Sequence, residues 1–224
     1  MAAMSIPTSF NASCTLCPRL TKHLRDQRVR FPSYFNAPVP AFGASTGDLL
    51  IVGLAPGLHG ANRTGRPFTG DYAGVLLYET LHEFGYGNHA GSAEANDALE
   101  LRNCRITNAV KCLPPENRPE LAEVKECNTY LTAEIGSYAP KAILALGVVA
   151  HAAVLRALDG RPTDYPFKHG ARHDLRGITE AKKQSIFLFD SYHCSRYNTQ
   201  TRRLTATMFK EVFSQIGRHL SEVR

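Results

Sequence analysis

Residues 48–71 read "DLLIVGLAPGLHGANRTGRPFTGD". Leu49 to Gly53 is a short apolar run of the kind buried on both faces of a parallel sheet. It passes directly into residues 53–71, nineteen positions that hold five glycines, at 53, 57, 60, 65 and 70, and two prolines. A buried strand that opens into a glycine-rich loop and then a helix is the signature of an α/β sheet whose ligand sits at the carboxyl edge of its strands.

Moving outward, three more apolar runs have the same character: Cys104 to Ala109, Ala142 to Gly147 and Ser185 to Asp190. Helical patterns separate them. Asp71 to Phe84 carries Val75, Leu76, Leu77, Leu81 and Phe84, and Pro119 to Tyr138 starts with Pro and two Glu beside the positive helix start. Val148 to Leu158 stops at the turn pair Asp159-Gly160, and Leu204, Met208, Val212, Ile216 and Leu220 form an apolar stripe at spacing four. Alternating strands and helices imply parallel pairing through right-handed crossovers. The expected fold is therefore an α/β, three-layer α/β/α sandwich with a central four-stranded parallel sheet, in one domain spanning 1–224. Residues 86–103 read as a polar surface insertion, and residues 159–184, rich in Arg, Lys, His and Gly, as a long connection before the last strand.

Composition narrows the partners. The net charge of +6, from 26 Lys and Arg against 20 Asp and Glu, suits a polyanion but also an ordinary basic enzyme. The opening "MAAMSIPTSFNASC" has neither a basic n-region nor an apolar h-region, and no run approaches the ~20 apolar residues of a membrane span. The expectation is a soluble, cytoplasmic monomer without a membrane partner.

Six cysteines are the next signal. Cys14 and Cys17 form a C-x2-C pair, and fourteen residues separate Cys112 from Cys127. In an intracellular chain these suit metal better than disulfides. Cys127 lies three residues after Val124 and four before Leu131, on the inward face of its helix, and Cys112 follows a strand end. Four thiolates can hold a tetrahedral zinc or a [4Fe–4S] cluster, and spacing does not choose between them. Cys104 and Cys194 read as packed thiols.

The loop itself lacks the G-x-x-x-x-G-K-[ST] and G-x-G-x-x-G phosphate signatures. It offers Phe68 as a flat stacking surface, Asp71 as a carboxylate at a helix entrance where it would equally serve as an N-cap, and Arg63 and Arg66 for phosphates. The second strand ends in "TNAVKC", placing Asn108 where its amide offers both a donor and an acceptor. The fourth leads into "HCSRYNTQTRRLT", which places His193 at the same edge, followed by Ser195, Arg196 and Arg202.

Taken together and in order, "GLAPGLHGANRTGRPFTGD", "TNAVKC" and "HCSRYNTQTRRLT", with the two cysteine pairs, resemble the family 5, or type B, uracil-DNA glycosylases of the iron–sulfur group. The resemblance runs from Cys14 to the final helix. It implies that Asp71 is the main catalytic group, with His193 and Asn108, and that Gly53, Ala55, Gly57, Phe68, Asn108 and His193 bind the base. It implies DNA contacts from Arg63, Arg66, Ser195, Arg196 and Arg202, and a structural [4Fe–4S] cluster on Cys14, Cys17, Cys112 and Cys127. The implied partner is DNA containing uracil or other deaminated bases such as hypoxanthine. Two differences stand out: Leu54 occupies the place where family 4 enzymes carry Glu, and the third motif, usually His-Pro-Ser, reads His193-Cys194-Ser195. A non-hydrolytic iron–sulfur module that binds nucleic acid or senses redox state is the competing reading; it gives Asp71 beside Phe68 no task.

Overall fold

The computed structural model describes residues 10–179 and 185–223. The first nine residues of the opening segment, and residues 180–184 of the long connection, lie outside the described residues. In chain order the elements are α1 (Pro18–Arg30), β1 (Phe42–Gly43), β2 (Leu49–Gly53), α2 (Ala61–Thr64), α3 (Tyr72–Glu83), β3 (Cys104–Asn108), α4 (Leu121–Tyr138), β4 (Ala142–Leu146), α5 (Val148–Ala157), β5 (Arg172–Asp174), α6 (Arg176–Thr179), β6 (Phe187–Ser191), α7 (Arg196–Gln200) and α8 (Ala206–Glu222).

The sheet has six strands in the order β1-β3-β2-β4-β6-β5. The four central ones, the four expected from the apolar runs, are mutually parallel. The four-stranded expectation needs one correction: β1 adds antiparallel to β3, and β5 antiparallel to β6. Alternation along each central strand sorts side chains between two cores. Leu49, Ile51, Ile106, Leu144 and Phe189 face α3 and α8; Leu50, Val52, Ile143, Ala145 and Leu188 face α4 and α5. Three layers result, with β2, β4 and β6 buried on both sides and β3 buried except at Arg105.

Two helix starts differ from the sequence expectation. Pro119 lies just outside α4, which begins with a capping box in which Glu123 accepts from the Glu120 N–H at 2.7 Å. Leu204 precedes α8, whose buried stripe runs Phe209, Val212, Phe213, Ile216 and Leu220.

Connectivity fixes the site. The chain leaves β2 for β3 on one side, then crosses back to β4 and β6 on the other, so a switch point falls at the carboxyl ends of β3, β2 and β4. A crevice opens where neighbouring strands send their continuations to opposite faces. Gly53 and Asn108 are register partners there, and Leu146 pairs with Ser191, two residues before His193.

Candidate active site

Close packing at the end of β2 explains the first glycine. A Cβ on Gly53 would lie 2.4 Å from Asn108 Oδ1 and 2.7 Å from Phe68 Cζ, so the amide and the ring rest directly on its backbone. Phe68 is buried and adopts a left-handed φ of 58°, a conformation that costs a bulky residue roughly 1–3 kcal/mol unless its surroundings enforce it. They do so here. Tyr78 donates to the Pro67 carbonyl at 2.6 Å, and α3 presses so near that a Cβ on Gly74 would lie 1.9 Å from the Phe68 carbonyl oxygen. Phe68 therefore belongs to the core and also presents its ring to a cleft.

Asp71 stands at the N-cap position of α3 with extended backbone, yet its side chain accepts no capping bond from that helix. Its carboxylate turns back over the loop, accepting one long bond from the Ala61 N–H at 3.3 Å. It rests against Gly57 and Gly60, where any side chain would collide with it. Burial raises its pKa above the ordinary carboxylate range, a shift only partly opposed by the Ala61 N–H and by Arg63 and His59 nearby. The helix-cap alternative thus does not describe this residue.

His193 comes to the cleft from the end of β6. Its ring lies 5.9 Å from that of Phe68, inclined by 27°. Burial lowers its pKa to about 4, so the ring is neutral at neutral pH and carries one N–H donor. Asn198 donates to the His193 carbonyl at 2.8 Å, while Ser195 caps α7 by accepting from the Asn198 N–H at 3.4 Å. Arg196 is exposed at the rim, its guanidinium 4.9 Å above the Tyr72 ring.

Together these groups line a cleft of about 530 Å3 formed by Leu54, Ala55, Gly57, Phe68, Asp71, Asn108, His193, Ser195 and Arg196, with Tyr72, Ala73 and Asn117. That volume exceeds what one base needs and leaves room for its sugar. Tyr72, Ala73 and Asn117 were not legible as site residues. Tyr72 follows Asp71 directly, and Asn117 sits in a Pro-Glu-Asn turn with left-handed φ, which is the signal that could have drawn attention to it. Gly53 lies behind the lining.

The arginines differ in what already engages them. Arg66 is buried, and its guanidinium donates to Thr69 Oγ1 (2.8 Å), Ser92 Oγ (2.7 Å), the carbonyls of Glu94 (2.5 Å) and Ala95 (3.2 Å), and Asp97 (2.5 Å). It stacks on Phe42 as well. Tied down in this way, it moulds residues 92–97 of the polar insertion against the loop. Arg63 is committed similarly, to the His59 and Ala93 carbonyls and to Glu94 at 2.6 Å. Arg202 is exposed but outside the cleft lining.

A second constellation lies at the other core. Cys14, Cys17, Cys112 and Cys127 converge on one cavity with Leu20, Pro38, Lys111 and Tyr130. Arg19 brings the first pair there: it grips Glu123 with two bonds of 2.8 and 2.7 Å, docking α1 on α4. Burial, with repulsion from neighbouring thiols, raises the pKa of Cys17 to about 12 and pushes up those of Cys112 and Cys127, so these three resist ionising. A cationic centre reverses that preference. The Lys111 N–H already donates to Cys127 Sγ at 3.3 Å, as thiolate ligands require. The donor set fits a thiolate-bound metal. Cys104 and Cys194 are packed in the opposite core.

Comparison with known proteins agrees with this geometry. The family model for the uracil DNA glycosylase superfamily matches residues 40–217. The chain is 41% identical over 212 residues to a type-5 uracil-DNA glycosylase of Thermus thermophilus, covering 92% of this chain and 93% of that protein. It is 39% identical over 204 residues to a type-5 uracil-DNA glycosylase of Pyrobaculum aerophilum, covering 89% and 86%. A type-4 uracil-DNA glycosylase of Sulfurisphaera tokodaii is 30% identical over 177 residues, covering 78% and 72%.

Proposed function

The chain belongs to the uracil DNA glycosylase superfamily, and we propose that it repairs DNA by hydrolysing the N-glycosidic bond of uracil, with Asp71, Asn108 and His193 as the working groups. One observation carries this assignment of roles: a half-buried carboxylate with a single long hydrogen bond faces the same cleft as a stacking ring, an amide and a neutral imidazole.

Inside a duplex the bond is out of reach, so the nucleotide rotates by about 180° into the cleft at a cost of a few kcal/mol. Phe68 stacks on the extruded base. The Asn108 amide pairs with the uracil edge, and the amino group of cytosine would put a donor against a donor there unless the amide turned over. As the bond breaks, positive charge grows on the sugar and negative charge on the departing base. Asp71 as carboxylate stabilises the first and orients the attacking water. His193 donates its one N–H to the base oxygen and stabilises the second. Each such contact lowers the barrier by about 2.7–4 kcal/mol. Arg196 at the rim contacts phosphate. Other deaminated bases, hypoxanthine among them, belong to the same substrate class.

Cys14, Cys17, Cys112 and Cys127 would hold a [4Fe–4S] cluster, whose positive core would offset part of the thiolate charge and tie together α1, α4 and the segment after β3 without taking part in the reaction. That segment follows Asn108, which lies four residues before Cys112.

Incubation with a uracil-containing oligonucleotide, followed by alkali, gives strand breaks at uracil if the reading holds. Binding without breaks would favour the non-hydrolytic module and refute it.

A further inference from the structure

Between α5, β5 and β6 lies a buried group of titratable side chains that the reaction does not use. Asp190 is fully buried and uses both carboxylate oxygens: His151 Nδ1 lies 2.7 Å from Oδ1, and His173 Nε2 lies 3.0 Å from Oδ2. The Lys168 N–H adds a third contact, to Oδ2 at 3.3 Å. The other ring nitrogen of His151 faces the Tyr165 carbonyl at 2.8 Å. A carbonyl only accepts, so His151 donates from Nε2, and its contact with Asp190 then needs a second proton, carried by the ring or by the carboxyl.

The main chain around Asp190 is held just as fully. Its carbonyl accepts from the Gly170 N–H at 2.9 Å, and its N–H donates to the Ala171 carbonyl at 3.0 Å. The next three residues follow suit. Gly147 donates to the Ser191 carbonyl at 2.8 Å, and the Tyr192 N–H donates to His169 Nδ1 at 3.1 Å, with the two rings stacked 5.0 Å apart. Burial lowers the pKa of His169, which keeps that nitrogen an acceptor. Then comes His193, whose carbonyl Asn198 holds. Residues 165–173 thus form a strap wrapped around the end of β6, pinned at its centre by Asp190. Cys194, which follows, adds no backbone restriction of its own, as a proline would.

We propose that the His151–Asp190–His173 network is a positioning device that sets the His193 ring against the departing base. The inference rests on the reading of His193 as the base-binding donor. An imidazole displaced by a fraction of an ångström loses its aim at the developing charge, and positional errors of this kind slow catalysis by up to about a hundredfold.

A double-mutant cycle tests it, using single-turnover excision from oligonucleotides containing uracil or 5-fluorouracil, the latter a better leaving group. Asp190→Asn should slow uracil excision about tenfold in the native background and less than about twofold on top of His193→Ala, because residues acting through one another are not additive. The loss should shrink for 5-fluorouracil, which needs less help in leaving, and binding to abasic-site DNA should be unchanged. Should Asp190→Asn not fold, His173→Leu against His173→Gln replaces it: glutamine keeps a donor for Asp190 Oδ2 and should restore the rate that leucine loses. Equal losses in both His193 backgrounds, or equal losses for both bases, overturn the positioning role alone. A His193→Ala protein as fast as the native one removes the role assigned to His193 and this inference with it. The three donor atoms lie within 4.8 Å of one another, so a second, stoichiometric metal in native protein that disappears in Asp190→Asn would identify a metal site instead and overturn the proposal.

Discussion

Asp71 and Asp190 both stand near the carboxyl edge of the sheet, the first half-buried and the second fully buried, but the protein treats them oppositely. Asp190 has both oxygens engaged, by two imidazoles and a main-chain amide. Asp71 has one distant N–H and two glycine backbones against it. A buried carboxylate that is fully hydrogen-bonded adds rigidity, whereas one left short of partners is held at higher free energy and is available to a charge that appears later. The first belongs to scaffolding and the second to chemistry, and the residue type alone does not tell them apart.

Exchanging each carboxylate for its amide sharpens the contrast. Asp71→Asn should lower the single-turnover rate on uracil DNA by at least about a hundredfold, because the charge facing the sugar cation is gone. Folding and DNA binding should survive. Near-native excision by a folded Asp71→Asn protein would break the comparison and move the chemistry to His193 and Asn108.

Asp190→Asn, beyond its smaller effect on the rate, should lower stability. It places an amide NH2 against a ring donor in a closed site, a loss of about 1–3 kcal/mol on denaturant unfolding. An unfolding midpoint equal to the native one would mean that Asp190 is no more fixed than Asp71.

The third expectation concerns pH and has opposite signs for activity and stability. Since burial raises the Asp71 pKa in the folded protein, its contribution to stability is complete below the unfolded pKa and is lost as pH rises through the folded one. At neutral pH the carboxylate therefore opposes folding, and Asp71→Asn should raise Tm there, with the gain fading in acid. Activity needs the ionised form, so excision by the native protein should rise along a limb above the ordinary carboxylate range. A limb at the ordinary position, with Tm unmoved by the substitution, would contradict the shift.

The smallest effect separates the arginines. Arg196→Ala should flatten the dependence of log K on log salt by about one unit if it neutralises one phosphate. Arg66→Ala should leave that slope unchanged and destabilise the protein. A slope altered by Arg66→Ala would return that residue to the DNA surface.

The legible and the illegible parts of this sequence differ for a physical reason. Four apolar runs mark the central strands because both sheet faces are covered, a local property that each run carries by itself. β1 and β5 bury little, and "FG" and "RHD" show no pattern; they exist because a neighbouring strand offers free backbone groups. The first loop, Asn108 and His193 stand out as polar residues placed where apolar strands stop. Arg66 misleads because arginine is ordinarily exposed, and its burial depends on Asp97, thirty-one residues away. The Asp190 network joins residues 151, 165, 173 and 190, and only tertiary structure makes them neighbours. Asp71 was legible as a carboxylate at a helix entrance, but the direction it faces depends on Gly57 and Gly60 leaving room.

The arginine mould beneath the insertion carries a consequence for variation. Arg63 and Arg66 hold the segment through main-chain carbonyls, at Ala93, Glu94 and Ala95, and through three side chains, those of Ser92, Glu94 and Asp97. Backbone oxygens are the same whatever residue bears them. The shape of this wall is therefore separable from its surface: Ala90, Gly91 and Ala93 border a second groove of about 370 Å3 that shares Asp71, Tyr72 and Arg196 with the cleft, and a Cβ at Gly91 meets nothing within 4 Å. Evolution or a combinatorial library can rewrite those three positions, and so retune what lies alongside the base, while the loop keeps its form.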